Sequence, residues 1–123
     1  MKKIYTEKAP QAIGPYSQAV VVNDIIYTSG QIAINPASGE IEATDIAGQT
    51  KQVMENLSAV LASAGSSCDK AVKTTCFLAD MNDFAEFNTI YGEYFSSKPA
   101  RSCVAVKSLP KGALVEVEVI AVK

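Results

Sequence analysis

The chain of 123 residues has ten lysines, a single arginine at position 101 and no histidine. Without histidine, Ser-His-Asp and Cys-His catalysis are excluded, as are histidine metal sites. Proton transfer is left to carboxylates, tyrosines, lysines, thiols and bound water. Cys68, Cys76 and Cys103 are odd in number, widely spaced and in no CxxC arrangement. That pattern argues against a disulfide framework and against a zinc site, and three reduced, mostly buried thiols is the simpler reading.

Arg101 follows Pro99-Ala100 at the start of an apolar run, RSCVAV. A lone arginine on a strand is often an ion-pair partner and nothing more. This chain, however, uses lysine wherever a generic positive charge is wanted. Arginine differs in its planar fork, which holds a carboxylate through two parallel hydrogen bonds. A pocket for a small carboxylic acid is therefore the sharper alternative. Glu116 and Glu118 project from one side of an apolar strand, about 7 Å apart by strand rise. One of such a pair is commonly solvated or salt-bridged, and the pattern does not choose between them. If Arg101 and Glu116 share a face, a guanidinium and a carboxylate line one otherwise apolar surface. Ser29-Gly30-Gln31 ends a strand where glycine lets backbone approach a ligand, although most such glycines simply make turns. Gly14-Pro15-Tyr16 also reads as a turn, Asn88 as a surface polar residue, and Lys2, Lys3 and Lys8 as a solvated, frayed terminus.

The elements that must position these groups follow from periodicity. Residues 17–22 (SQAVVV) and 25–29 (IIYTS) are β-prone runs around Asn23-Asp24, a tight hairpin signal. Residues 30–44 carry Gly, Pro and Ser punctuation and read as a loop with room for a short strand. From Asp45 to Ala64 the apolar residues Ile46, Val53, Met54, Leu57, Val60, Leu61 and Ala64 form one helical face, capped by Thr44 or Asp45 and closed by Gly65. Residues 71–79 predict a strand. Residues 83–95 predict a second helix with Phe84, Phe87, Tyr91, Tyr94 and Phe95 as its stripe, capped by Asn82 or Asp83. Strands at 101–106 and 114–122 close the chain, with the loop Lys107–Ala113 suiting adjacent antiparallel neighbours.

This order is α+β: a sheet of five to six strands with two helices on one face, in a single domain over residues 1–123. The uncovered face should be polar if it meets water, but residues 71–79 and 114–122 are apolar on both sides. That face is expected to pack against another subunit. With 48% hydrophobic and 20% charged residues the composition is that of an ordinary globular domain. A net charge of −2 argues against a broad nucleic-acid footprint. No apolar run is long enough to span a bilayer, and MKKIYTEKAP lacks the apolar core of a secretory signal, so a cytoplasmic location is expected.

Four separated segments, AIGPYSQA, TSGQIAINP, PARSCVAV and LPKGALVEVEVIAV, together resemble the Rid family, once called YjgF-type. The resemblance runs from about Ala9 to Val122. It implies a chorismate-mutase-like fold and a homotrimer with a central barrel and active sites between subunits. By the same resemblance, Arg101 binds a substrate carboxylate and Glu116 holds and activates water. Gly30 and Cys103 supply backbone contacts, Tyr16, Ser29 and Asn88 line the pocket, and Cys103 is a wall, not a nucleophile. The implied activity is hydrolysis of 2-imino acids and their enamine tautomers, such as 2-aminoacrylate from pyridoxal-phosphate-dependent dehydratases, to 2-keto acids and ammonia. No metal or other cofactor is implied. Two features depart from many members: the short SSK segment before PARSC, and Ala105 where glutamate is common. The rival readings are a keto-acid-binding regulatory module, an endoribonuclease and a purely structural trimer.

Overall fold

The Asn23-Asp24 hairpin forms as its residue types demand, with φ of 49° and 67° at the two turn positions. It joins β2 (Ala19–Val22) to β3 (Ile25–Thr28) in a computed structural model that describes residues 1–123. The remaining strands are β1 (Lys2–Ile4), β4 (Ile34–Asn35), β5 (Glu40–Ile41), β6 (Ala71–Leu78), β7 (Ala100–Ala105) and β8 (Val115–Val122). The two helices are α1 (Ile46–Ser63) and α2 (Phe84–Tyr94). Six strands make one mixed sheet in the order β1-β2-β3-β8-β6-β7, and β4 and β5 pair separately within the expected loop. Only β6 and β7 are parallel, joined by the α2 crossover.

Local chemistry sets the ends of α1. The Asp45 carboxylate accepts from the Gly48 backbone N–H, and at the other end Ser66 N–H donates to Leu61 and Gly65 N–H to Ala62. With Gly65 at φ 82°, this pair of bonds is a Schellman cap. All seven residues of the expected α1 stripe are buried, against Val115, Val117, Val119 and Ala121 of β8 and the buried face of α2. Six polar residues are buried within this core, Gln18, Gln31, Gln49, Thr50, Asn56 and Thr74, and of their side chains the Thr50 hydroxyl lacks a hydrogen-bond partner. Gln49 accepts from Leu114 N–H, Asn56 donates to the carbonyls of Ile32 and Ile34, and Gln18 is described below.

The opposite face of the sheet is uncovered. Strand registers place Val20, Val22, Ile25, Tyr27, Phe77, Val104, Ile120 and Val122 on it, together with Glu116 and Glu118. Val22, Tyr27, Val104 and Val122 remain 40–48% exposed. The apolar second face expected from the sequence is present.

Two expectations fail. The N-terminus is not frayed: Lys2–Ile4 pairs with β2, and Ile4 and Ala9 are buried. The cause is Gln18, whose side chain is 2% exposed. Its amide donates to the carbonyls of Thr6, Ala9 and Pro10 and its oxygen accepts from Thr6 N–H, fastening the segment through contacts that lie outside it. Nor are β7 and β8 neighbours. Both register onto β6, which lies between them, because the α2 crossover sets β7 parallel beside β6 on its outer edge. The Lys107–Ala113 loop therefore passes the end of β6, tightened by a 3₁₀ turn at Pro110–Gly112.

Replacing Gln18 by alanine strips several bonds at about 1 kcal/mol each and leaves buried carbonyls unpaired. Gln18→Ala should lower stability by about 2–4 kcal/mol in urea unfolding. It should also speed amide exchange at Lys2–Ile4 more than in β8, where unchanged protection at Lys2–Ile4 would contradict the clamp.

Candidate functional site

Arg101 is held by α2. It pairs in register with Thr74 of β6, on the helix-covered side of the sheet. Its guanidinium carbon lies 4.9 Å from the centroid of the Tyr91 ring and 5.4 Å from that of Phe84. Nη1 donates to Asn88 Oδ1 at 2.6 Å, the one hydrogen bond the guanidinium makes. A guanidinium has five N–H groups, so four remain available. Because the partner is a neutral amide, the charge of Arg101 is left uncompensated and able to bind an anion. The spacing Phe84, Asn88, Tyr91 is i, i+4, i+7, one helix face. Phe84 and Tyr91 were legible as core residues, but their task of carrying Arg101 was not.

Cys103 sits two residues along the same face, paired in register with Cys76. Burial pushes both thiols up, Cys76 to about 12, while Arg101 pulls both back only in part. Neither is a ready thiolate at neutral pH.

Glu116 lies elsewhere. It pairs with Phe77 and is half-buried on the uncovered face. Beyond Tyr27↔Ile120 the β3–β8 register slips by one residue, to a bridge between Gln31 and Val117. Thr28 Oγ1 fills the gap by accepting from Val119 N–H. This irregularity sets Gly30 against the Glu116 carboxylate. A Cβ on Gly30 would stand 2.8 Å from Glu116 Cδ and closer still to Oε2. A side chain at position 30 would therefore displace the Glu116 carboxylate from where it now lies. Ser29 Oγ donates to the Ser17 carbonyl at 2.6 Å, tying the Gly30 strand end to the residue after Tyr16. Tyr16 is 55% exposed and lines a cleft of about 280 Å³ with Lys3, Tyr5 and Gln11. A second cleft, about 240 Å³, lies beside Gly48, Lys51 and Glu55 of α1, and neither cleft contains Arg101 or Glu116.

The candidate residues therefore form two groups. Arg101, Asn88 and Cys103 share one side of β7 and α2; Glu116, Gly30 and Ser29 gather at the end of β3, and Tyr16 precedes the Ser17 carbonyl to which Ser29 donates. The condition that Arg101 and Glu116 share a face is not met. Thr74, beside Arg101, points to the helices, whereas Phe77, beside Glu116, points away from them. Their β6 partners are three residues apart, about 10 Å along the strand, and β7 and β8 are about 10 Å apart across β6. Burial first and Glu118 second raise the Glu116 pKa above its ordinary value, and Arg101 does not relieve it. No group of His, Cys, Asp and Glu is arranged to hold a metal ion, and no helix is long and apolar enough to cross a membrane.

The sequence profile of the family described as Endoribonuclease L-PSP matches residues 6–123. A RutC family protein from Pyrococcus abyssi is 54% identical over 121 residues, covering 98% of this chain and 95% of that protein. Among solved structures, YyfA from Yersinia pestis, described as of unknown function in the conserved Rid protein family, is 53% identical with a TM-score of 0.96. It covers 99% of this chain and 98% of its own. E. coli TdcF, crystallised with bound serine, is 43% identical, with a TM-score of 0.95 and coverage of 100% and 99%.

The raised Glu116 pKa has a sign that can be read in stability. A carboxyl raised on folding contributes stability that is complete below the ordinary glutamate range and is lost as pH rises through the raised value. Glu116→Gln keeps the size and removes the charge, so it should raise the urea midpoint at neutral pH and lose that advantage in acid. Glu118→Gln should move the Glu116 titration downward when followed by carbon NMR. No movement would exclude Glu118 as a cause.

Proposed function

The chain belongs to the Endoribonuclease L-PSP family, which takes in the Rid, YjgF and RutC proteins, and from that premise we propose that it is a cofactor-independent deaminase of 2-imino acids and their enamine tautomers. The observation that carries this reading is the Arg101 fork, steadied by a neutral amide and aromatic rings with four N–H groups free. A planar fork with no internal counter-ion is suited to a small carboxylate. Serine bound to the TdcF relative is a molecule of that class, with a carboxylate beside a nitrogen-bearing carbon.

In this reading Arg101 binds the substrate carboxylate and fixes the adjacent C=N carbon. Glu116 takes a proton from water as its oxygen bonds to that carbon. The C=N π-pair passes to nitrogen, and the carbinolamine then releases ammonia as the C=O bond forms. Glu116 returns its proton to nitrogen, and the carbinolamine hydroxyl proton follows by way of the freed carboxylate, so that nitrogen leaves as NH3 while the C–N bond breaks. A base whose pKa lies above that of a solvent-exposed glutamate is better matched to that task near neutral pH. Gly30 and Cys103 offer backbone contacts, and Tyr16, Ser29 and Asn88 line the site. The substrate arises in the cytoplasm, where pyridoxal-phosphate-dependent dehydratases release it.

One chain does not bring Arg101 and Glu116 together, since they sit on opposite faces of one sheet. We therefore place each site between copies, with edge strand β7 of one lying over the uncovered face of the next; that the copies number three, as a homotrimer, is what the resemblance to the Rid family implies. The exposed apolar residues of that face support this arrangement, because such a surface is costly to leave in water. A non-catalytic keto-acid-binding module would use the same fork and differs only in turnover. The ribonuclease activity in the family's description finds little support here, given no histidine, one arginine and net charge −2.

The test follows pyruvate and ammonia release from 2-aminoacrylate generated in situ by a dehydratase. The wild type should accelerate release. Arg101→Ala should lose about a hundredfold or more in kcat/KM, the equivalent of two charge-assisted bonds. Glu116→Gln should lose a similar factor, chiefly in kcat. A wild type that binds 2-oxobutanoate but leaves the spontaneous rate unchanged would favour the binding module.

A further inference from the structure

Arginine side chains carry several rotatable bonds, and a fork is useful only if its plane is set before the ligand arrives. Asn88 fixes one nitrogen of Arg101 through a single bond, about which the plane can still tilt. What opposes tilting is the ring beneath it. Tyr91 is 7% exposed and lies 4.9 Å from the guanidinium carbon. Its own position is fixed twice over. The hydroxyl shares a 2.7 Å hydrogen bond with Thr74 Oγ1, a fully buried side chain on the strand position paired with Arg101. The ring packs on Phe95 at 4.7 Å and on Phe87 at 5.5 Å between centroids.

Thr74 thus stands beside Arg101 on the neighbouring strand, and Tyr91 joins the two from below. We propose that Tyr91, locked by Thr74, is a positioning residue: a floor that holds the Arg101 fork flat, with its free N–H groups turned toward an incoming carboxylate. The proposal rests on the reading of Arg101 as carboxylate anchor. Tyr91 touches no reacting atom. Its loss should therefore weaken binding in ground and transition states alike, raising KM and leaving kcat nearly unchanged. A merely structural tyrosine would show no dependence on what stands at position 101.

The experiment is a double-mutant cycle. Tyr91→Leu is combined with Arg101→Lys, because an ammonium has no plane to orient. Affinity for 2-oxobutanoate is read by calorimetry, and KM and kcat are read with 2-aminoacrylate. With Arg101 present, Tyr91→Leu should weaken 2-oxobutanoate binding and raise KM by about tenfold, with kcat within about twofold. In the Arg101→Lys background the same change should cost less than about twofold. Equal costs in both backgrounds, or a fall in kcat at constant affinity, would overturn the proposal. Should Tyr91→Leu fail to fold, Tyr91→Phe keeps the packing and removes only the Thr74 bond. It should weaken binding by about threefold, and unchanged affinity overturns the lock. If the wild type binds no 2-oxobutanoate and Arg101→Ala turns over as the wild type does, the anchor itself fails, and this role with it. If the wild type binds and the Tyr91 variants bind equally well, only the role of Tyr91 fails.

Discussion

The parallel pairing of β6 with β7 is the constraint on which the rest of the site depends. Parallel strands require a crossover, and here the crossover is α2. Its return across the sheet lays Phe84, Asn88 and Tyr91 over the start of β7, where Arg101 is in register with Thr74. A guanidinium half-withdrawn from water would normally demand a carboxylate. Aromatic faces and one amide oxygen meet part of that demand without neutralising the charge. The arrangement leaves an oriented cation with unused donors.

Glu116 shows the complementary situation. It stands on the opposite face, against Gly30, with Glu118 as its nearest charged influence. Had the two groups shared a face within a few ångströms, they would have paired, each satisfying the other. The Glu116 carboxyl would then titrate below its ordinary range instead of above it. Separation by strand parity keeps the cation able to bind an anion and the carboxylate basic.

The uncovered sheet face belongs to the same account. Eight apolar side chains on it alternate with the buried row that packs on α1, so β3, β6 and β8 are apolar on both sides. Such strands suit a sheet covered twice, yet the chain has helices for one side only. The same surface that carries Glu116 is therefore the one left without a covering layer within the chain.

Much of this was legible from local pattern. The 3.6-residue period of α1, its Asp45 and Gly65 caps, the Asn23-Asp24 hairpin and the alternation along β8 are each written in a few consecutive residues, because turn and helix geometry is decided over that range. The lone arginine and the carboxylates could be singled out by type alone. Strand neighbours could not. That β6 separates β7 from β8, that Lys2–Ile4 forms an edge strand through Gln18, and that Gly30 makes room for Glu116 depend on contacts between segments distant in sequence. Sequence by itself determined which side chains alternate along each strand. Only the tertiary structure decided which face each row meets, because period-2 alternation fixes relative sides within a strand and carries no information on how one strand is registered against the next.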